Sequence, residues 1–300
     1  YGSLDHKRMT NETRAHWTLQ QAYEKQVEQT WSGLASEKTV ALYWKIIAEH
    51  FGATASFSEI GIDEIEEFVS ILKNERNIAG STINRYMSCL SSVWKCAHER
   101  GKAPARPSPW PKQRETKGRH YHFSLEEERE IFKACTVMGN QEMTDYIIML
   151  ADTGFRRGEL ESLDINHCVR EGVVTLRNGL GETKNGAGRS MPLSVRAKEV
   201  VDRRLKAAKE EEQAARDWAK LHKLPFTGAG TTKLFTKKSS WYRSKWDRIK
   251  ALAELPEAAC MHIFRHTFAT RMAMTGKVTI YDIKEALGHK SLEATQIYAH

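Results

Sequence analysis

The chain has 300 residues, with 46 Lys and Arg against 38 Asp and Glu, for a formal net charge of +8. That length allows two domains with cores of their own at ~100–200 residues per domain, and the basic surplus fits a polyanionic partner. No stretch approaches the ~18 apolar residues of a membrane span and no signal peptide opens the chain, so no membrane partner is expected.

Cys89, Cys96, Cys135, Cys168 and Cys260 are scattered and form no C-x-x-C pair. They read as reduced core thiols of a cytoplasmic protein, which excludes a disulfide frame and a zinc site. The chain opens Tyr-Gly-Ser without methionine and stops at His300, so both ends look trimmed.

Residues 1–103 read as helices only. Apolar positions recur at helical spacing over 17–31 and 37–51, with Ser36 as cap and Phe51-Gly52 as stop. A third helix leads from Ile60 through Leu72, and a turn covers Asn77 to Gly80. A long fourth helix starts at Ser81 or Thr82 and runs to about Gly101, completing a small bundle.

Residues 104–121 read as a linker. Pro104, Pro107, Pro109 and Pro111 block helix formation and keep the segment extended. Lys102, Arg106, Lys112, Arg114, Lys117 and Arg119 face the single acid Glu115. Some ~18 extended residues reach roughly 60 Å, enough to follow a nucleic-acid duplex.

A second domain, 122–300, opens with a capping box at Ser124-Leu-Glu-Glu. Helices are expected at 125–136 and 141–153. The pattern then switches to strands at Val173-Val-Thr-Leu and Arg189 to Leu193, with Asn185-Gly186 as the turn of a small antiparallel sheet. A long charged helix covers 195–222, another covers 240–252, and three short helices carry the end of the chain. The fold class is therefore mainly α with a small antiparallel β-sheet.

Several residues combine into one chemistry. Thr-Gly-Phe-Arg-Arg-Gly-Glu-Leu at 153–160 offers Arg156 or Arg157, with Glu159 within one turn of the former. Lys184 lies just before the hairpin turn, with Lys233, Lys237 and Lys238 as rivals. His262 and Arg265 are one helical turn apart, and His266 lies near the same face. Leu287-Gly-His289 precedes Tyr298 by nine residues. Arginine forks suit phosphate oxygens, tyrosine is an oxygen nucleophile, and a lysine or histidine can protonate a leaving oxygen. His262 and His266 have a zinc spacing, but the glutamate of H-E-x-x-H is absent and Arg265 would oppose a cation.

The order and spacing of these motifs resemble the tyrosine recombinases, the phage integrase family. The resemblance implies a helical N-terminal DNA-clamping bundle, to which Thr-Ile-Asn-Arg at 82–85 is similar, joined to an α+β catalytic domain. It makes Arg156, Lys184, His262, Arg265, His289 and Tyr298 the catalytic set, with Glu159 and His266 in support. Tyr298 would form a 3′-phosphotyrosyl link and release a 5′-hydroxyl, needing no cofactor, nucleotide or metal. Arg85, Lys95, Lys112, Arg114, Arg243 and Lys245 are the candidate DNA contacts.

As partners, the resemblance implies double-stranded recombination sites, a homo-tetramer exchanging strands through a Holliday junction, and accessory DNA-bending proteins. The setting would be the nucleoid of a bacterial host. A type IB topoisomerase, a DNA-binding regulator that kept the fold, and a metal-dependent nuclease are the rival readings.

Overall fold

A computed structural model describes residues 16–115, 121–164, 168–176, 188–226 and 233–298. The chain forms two compact units, Tyr1–Lys117 and Gly118–His300.

In the first unit, α1 (Leu19–Gln26), α2 (Glu37–Phe51), α3 (Ile62–Ser70) and α4 (Gly80–His98) pack around Trp44, Ile47, Phe68, Leu90 and Trp94. A π-helical turn extends each of α1 and α3, over Val27–Trp31 and Ile71–Glu75. Thr18 caps α1 reciprocally with Gln21, as the two orphan amides of a helix start require. Ser36, the expected cap of α2, makes no side-chain cap bond; Glu37 instead accepts from the Gly33 amide at 2.8 Å.

The proline-rich segment forms no helix through Glu115, but it lies against α4. Asn84 and Gln113 bond reciprocally, Asn84 Nδ2 to the Gln113 carbonyl at 2.9 Å and the Gln113 amide to Asn84 Oδ1 at 2.8 Å. The Trp94 indole donates to the Pro104 carbonyl at 2.9 Å, and the Arg106 guanidinium sits 4.5 Å over the Trp110 ring. The helix start at Gly80 permits this: a Cβ there would meet the Arg114 carbonyl at 2.7 Å.

The second unit begins with α5 (Leu125–Val137), capped by the reciprocal Ser124–Glu127 pair at 3.1 and 2.8 Å. It continues with α6 (Gln141–Thr153), a short α7 (Arg157–Glu161), strands β1 (Val169–Arg170), β2 (Val173–Leu176) and β3 (Arg189–Pro192), and the long α8 (Val195–Leu221). Helices α9 (Ser239–Leu252), α10 (Ile263–Met274) and α11 (Ile280–Leu287) follow, and the last described turn is a 3-10 turn, Gln296–Tyr298. That turn stands where the last of the three short closing helices is expected from the sequence.

The sheet is antiparallel in the order β1-β2-β3. Its register pairs Val174 with Met191 and Leu176 with Arg189 on the buried face, while Thr175 and Ser190 bond at 2.9 Å on the exposed one. The core joins Tyr146, Phe155, Phe235, Trp246 and Phe264, with Tyr146 and Tyr242 stacked at 3.9 Å. A small second cluster of Ala269, Ile283, Leu287 and Tyr298 ties the end of the chain to α10 and α11.

Cys89, Cys96, Cys135 and Cys168 are buried, but Cys260 is exposed, against the expectation of five core thiols; it lies in the turn before α10. Among the described residues, no helix is long and apolar enough to cross a membrane and no metal-ligating cluster of three or more side chains forms.

Candidate active site

The site is built on helix ends. Gly154 terminates α6 in the left-handed region at φ 62°, and the chain turns straight into α7. Arg156 is the N-cap of α7. Its amide donates to Glu159 Oε2 and its Nη1 to Oε1, both at 2.8 Å, so one carboxylate caps the helix and fixes the guanidinium. Arg157 turns elsewhere, donating to Ser239 Oγ at 2.6 Å and lying 3.9 Å from Glu161.

Glu159 is only 2% exposed and holds a second arginine. Arg189 makes a two-pronged bond to it, at 3.1 and 2.6 Å. Burial alone would raise the Glu159 pKa, but Arg189 and Arg156 together hold the carboxyl below its usual range. From the sequence, Arg189 enters only as the first residue of a strand. The signal was available: in Arg189-Ser190-Met191 the period of two that buries Met191 buries Arg189 as well.

Arg265 is 3% exposed, in the first turns of α10. Its Nη1 donates to the Gly154 carbonyl at 2.8 Å and its Nη2 to the Leu287 carbonyl at 2.6 Å. Both acceptors are at helix C-termini, where unpaired carbonyls and the helix dipole favour a cation. Burial and then Arg156 push the Arg265 pKa down to about 9, so it stays charged at neutral pH in a site with excess positive charge.

Three histidines surround this cation. His262 stands at the N-cap position of α10 without a side-chain cap bond; burial, then Arg265, Arg156 and Arg157, lower its pKa. His289 follows the left-handed Gly288, and its Nδ1 pairs with Thr295 Oγ1 at 2.9 Å. Burial, then Arg265, Arg156 and Arg189, push its pKa down to about 4, so it is neutral at pH 7. His266 stands edge-to-face with His262 at 5.0 Å, and its Nδ1 lies 2.5 Å from the Tyr298 hydroxyl.

Tyr298 is 7% exposed. Burial raises its pKa and Arg265 lowers it in part. The structure thus brings Arg156, Glu159, His262, Arg265, His266, His289 and Tyr298 into one cluster, and adds Arg189. Lys184 and the Asn185-Gly186 turn lie outside the described residues.

Beside His262, a cleft of about 430 Å³ is lined by Arg157, Arg243, Trp246, Lys250 and Cys260. Arg243 is exposed, and Lys245 Nζ lies 5.5 Å over the Trp241 ring. In the first unit Arg85, Lys95, Lys112 and Arg114 are exposed, and a second cleft of about 440 Å³ runs between α4 and residues 106–112.

Residues 123–300 match the phage integrase family. The chain is 25% identical over 283 residues to the tyrosine recombinase XerC of Lactobacillus delbrueckii subsp. bulgaricus, covering 88% of each chain. It is also 25% identical over 251 residues to a shufflon-specific DNA recombinase of Escherichia coli, covering 82% of this chain and 56% of that one. Its fold is similar to that of the Tn1549 transposon integrase solved with transposon right end DNA, with TM-score 0.75, 20% identity, and 94% and 95% of the two chains covered. A lambda integrase dimer bound to a core site shares the fold at TM-score 0.71 and 16% identity, over 94% of each chain.

The chain belongs to the phage integrase family. It is a site-specific tyrosine recombinase, an enzyme that breaks and rejoins DNA strands.

Proposed function

We propose that this recombinase cleaves DNA by attack of Tyr298 on a phosphodiester, forming a 3′-phosphotyrosyl link and freeing a 5′-hydroxyl. Arg156 and Arg265 take the non-bridging oxygens, His262 serves as an acid–base or phosphate-binding group, and His289 donates to a phosphate oxygen. Lys184 protonates the leaving 5′-oxygen. The observation that carries this reading is the crowding of Arg156, Arg189 and Arg265 around one buried carboxylate, Glu159, beside Tyr298. A phosphodiester supplies the anion such a cluster lacks, and fixed donors of this kind stabilise charge developing on a phosphate without reorganising.

The first unit adds DNA contacts through Arg85, Lys95, Lys112 and Arg114, and the second through Arg243 and Lys245. Rejoining to a partner strand then makes a Holliday junction, within a homo-tetramer on two recombination sites that accessory bending proteins help to assemble. The phosphotyrosyl bond retains the energy of the broken backbone, so no nucleotide is consumed.

The test is covalent trapping on nicked DNA, in chelator and without nucleotide, comparing the wild-type chain with Tyr298→Phe. A denaturation-resistant adduct lost in the variant supports the reading. An adduct that persists in Tyr298→Phe assigns the nucleophile elsewhere.

A further inference from the structure

The geometry points to His266, through Nδ1, as the group that takes the phenolic proton of Tyr298 when its oxygen attacks phosphorus. This rests on the tyrosine chemistry proposed above and adds the one transfer that reading leaves unassigned.

Of the three histidines of the site, it is His266 that hydrogen-bonds the nucleophile itself. Its Nδ1 lies 2.5 Å from the Tyr298 oxygen, with the two rings 5.9 Å apart and tilted by 43°. His289 spends its Nδ1 on Thr295 at 2.9 Å, and Thr295 is fully buried, so that bond is fixed. His262 meets His266 ring to ring.

The contact is also set by packing. His266 is on α10, and Tyr298 packs in the apolar cluster of Ala269, Ile283 and Leu287. A phenolate held in such a place is disfavoured by desolvation. A base already at hydrogen-bond distance removes that obstacle, since transfer can accompany attack.

A lone pair of the phenolic oxygen forms the new O–P bond. The P–O5′ bond breaks with its pair going to O5′, which takes a proton from the cationic donor assigned above. The phenolic proton passes to Nδ1 and leaves an imidazolium. In rejoining, the same imidazolium returns its proton to the departing tyrosine. Nδ1 must therefore be bare in the resting enzyme, with the ring proton on Nε2. The bound phosphodiester then offsets the positive charge created by transfer.

His266→Asn tests this, because an amide can still hydrogen-bond the phenol but cannot accept its proton. Nicked duplexes are first enriched from a randomised pool by adduct formation with the wild-type chain. On these, His266→Asn is expected to bind as tightly as wild type and to form the adduct about 10²–10⁴-fold more slowly, the usual span for loss of a general base. Free imidazole should restore part of the rate in His266→Ala. An unimpaired rate in His266→Asn overturns the inference.

A second measurement needs no DNA. In the ¹⁵N spectrum of the histidines at neutral pH, the His266 Nδ1 resonance should be that of an unprotonated acceptor and should move in Tyr298→Phe. A proton found on Nδ1 overturns the assignment. An adduct that survives Tyr298→Phe would instead overturn the proposed nucleophile, while the spectrum still judges the contact.

Discussion

Glu159 carries more of the site than any cation does. With 2% exposure it accepts from the Arg156 amide, the Arg156 guanidinium and both Nη atoms of Arg189. Removing one partner of a buried ion pair costs about 3–5 kcal/mol because the remaining charge is stranded. Glu159→Ala strands two arginines and should lower the unfolding free energy of the second unit, read from urea titration, by an amount in that range or above it; Glu159→Gln, which keeps two acceptor bonds, should cost less. A midpoint unchanged in Glu159→Ala would mean that Arg156 and Arg189 find other partners.

His289 gives a pH signature at the same scale. Its folded pKa is pushed down to about 4 from an ordinary 6.5, so the folded state binds fewer protons than the unfolded chain between those values. Stability is then present above pH 6.5 and is lost as pH falls toward 4. Denaturation midpoints measured across that window should fall with pH, and His289→Gln should flatten the decline. His262, also depressed, adds to the slope in the same direction. Sequence motifs named nearly every residue of this cluster because their spacing is rigid, His262 and Arg265 being one helical turn apart. Arg189 and the His266–Tyr298 bond escaped because each depends on which segments distant in sequence pack together, 30 and 32 residues apart.

At the scale of elements, two left-handed glycines hold the phosphate-clamp candidate in place. Arg265 is bonded to the carbonyl of Gly154 itself and to that of Leu287, the residue before Gly288. The last carbonyls of a helix have no partner within it, and the chain reversal at each glycine lets Arg265 reach one. A Cβ at Gly154 would meet the Phe268 ring at 2.5 Å, and one at Gly288 would meet Arg189 Nη1 at 2.7 Å. Gly154→Ala should therefore destabilise by more than the ~1 kcal/mol of left-handed strain alone, because the ring must move too. Gly288→Ala should cost less, since a guanidinium can yield, yet reduce adduct formation by shifting Arg189 off Glu159. Equal stability losses in the two variants, with cleavage intact in Gly288→Ala, would contradict this.

The long helices were legible because each repeats its apolar spacing over three or more turns. The five-residue α7 and two-residue β1 carry too little periodicity to show. The 3-10 turn at Gln296–Tyr298 stands in place of an expected helix because Tyr298 is buried in one cluster with Leu287, a tertiary contact that local propensity does not encode. Nothing in composition announced that residues 104–115 would lie on α4, since the Asn84–Gln113 pair spans 29 positions.

Over the whole molecule, the surplus of +8 is not spread evenly in its commitments. Arg196, Arg203 and Arg204 are tied to Asp152, Asp145 and Glu142 and serve the fold of the second unit. Arg85, Lys112, Arg114 and Arg243, by contrast, are exposed. Side chains of that kind gain from phosphates mainly by releasing counterions, which makes the logarithm of affinity fall with the logarithm of salt by roughly 0.9 per phosphate neutralised. Binding of the full chain to duplex DNA should therefore weaken steeply between low and moderate salt. Replacing Lys112, Arg114 or Arg243 singly by alanine should reduce that slope by about one unit each if the residue meets a phosphate. Arg203→Ala serves as the control: it should lower stability through Asp145 and leave the slope unchanged. A slope that drops for Arg203→Ala and not for Lys112→Ala would place the DNA on a different face of the protein.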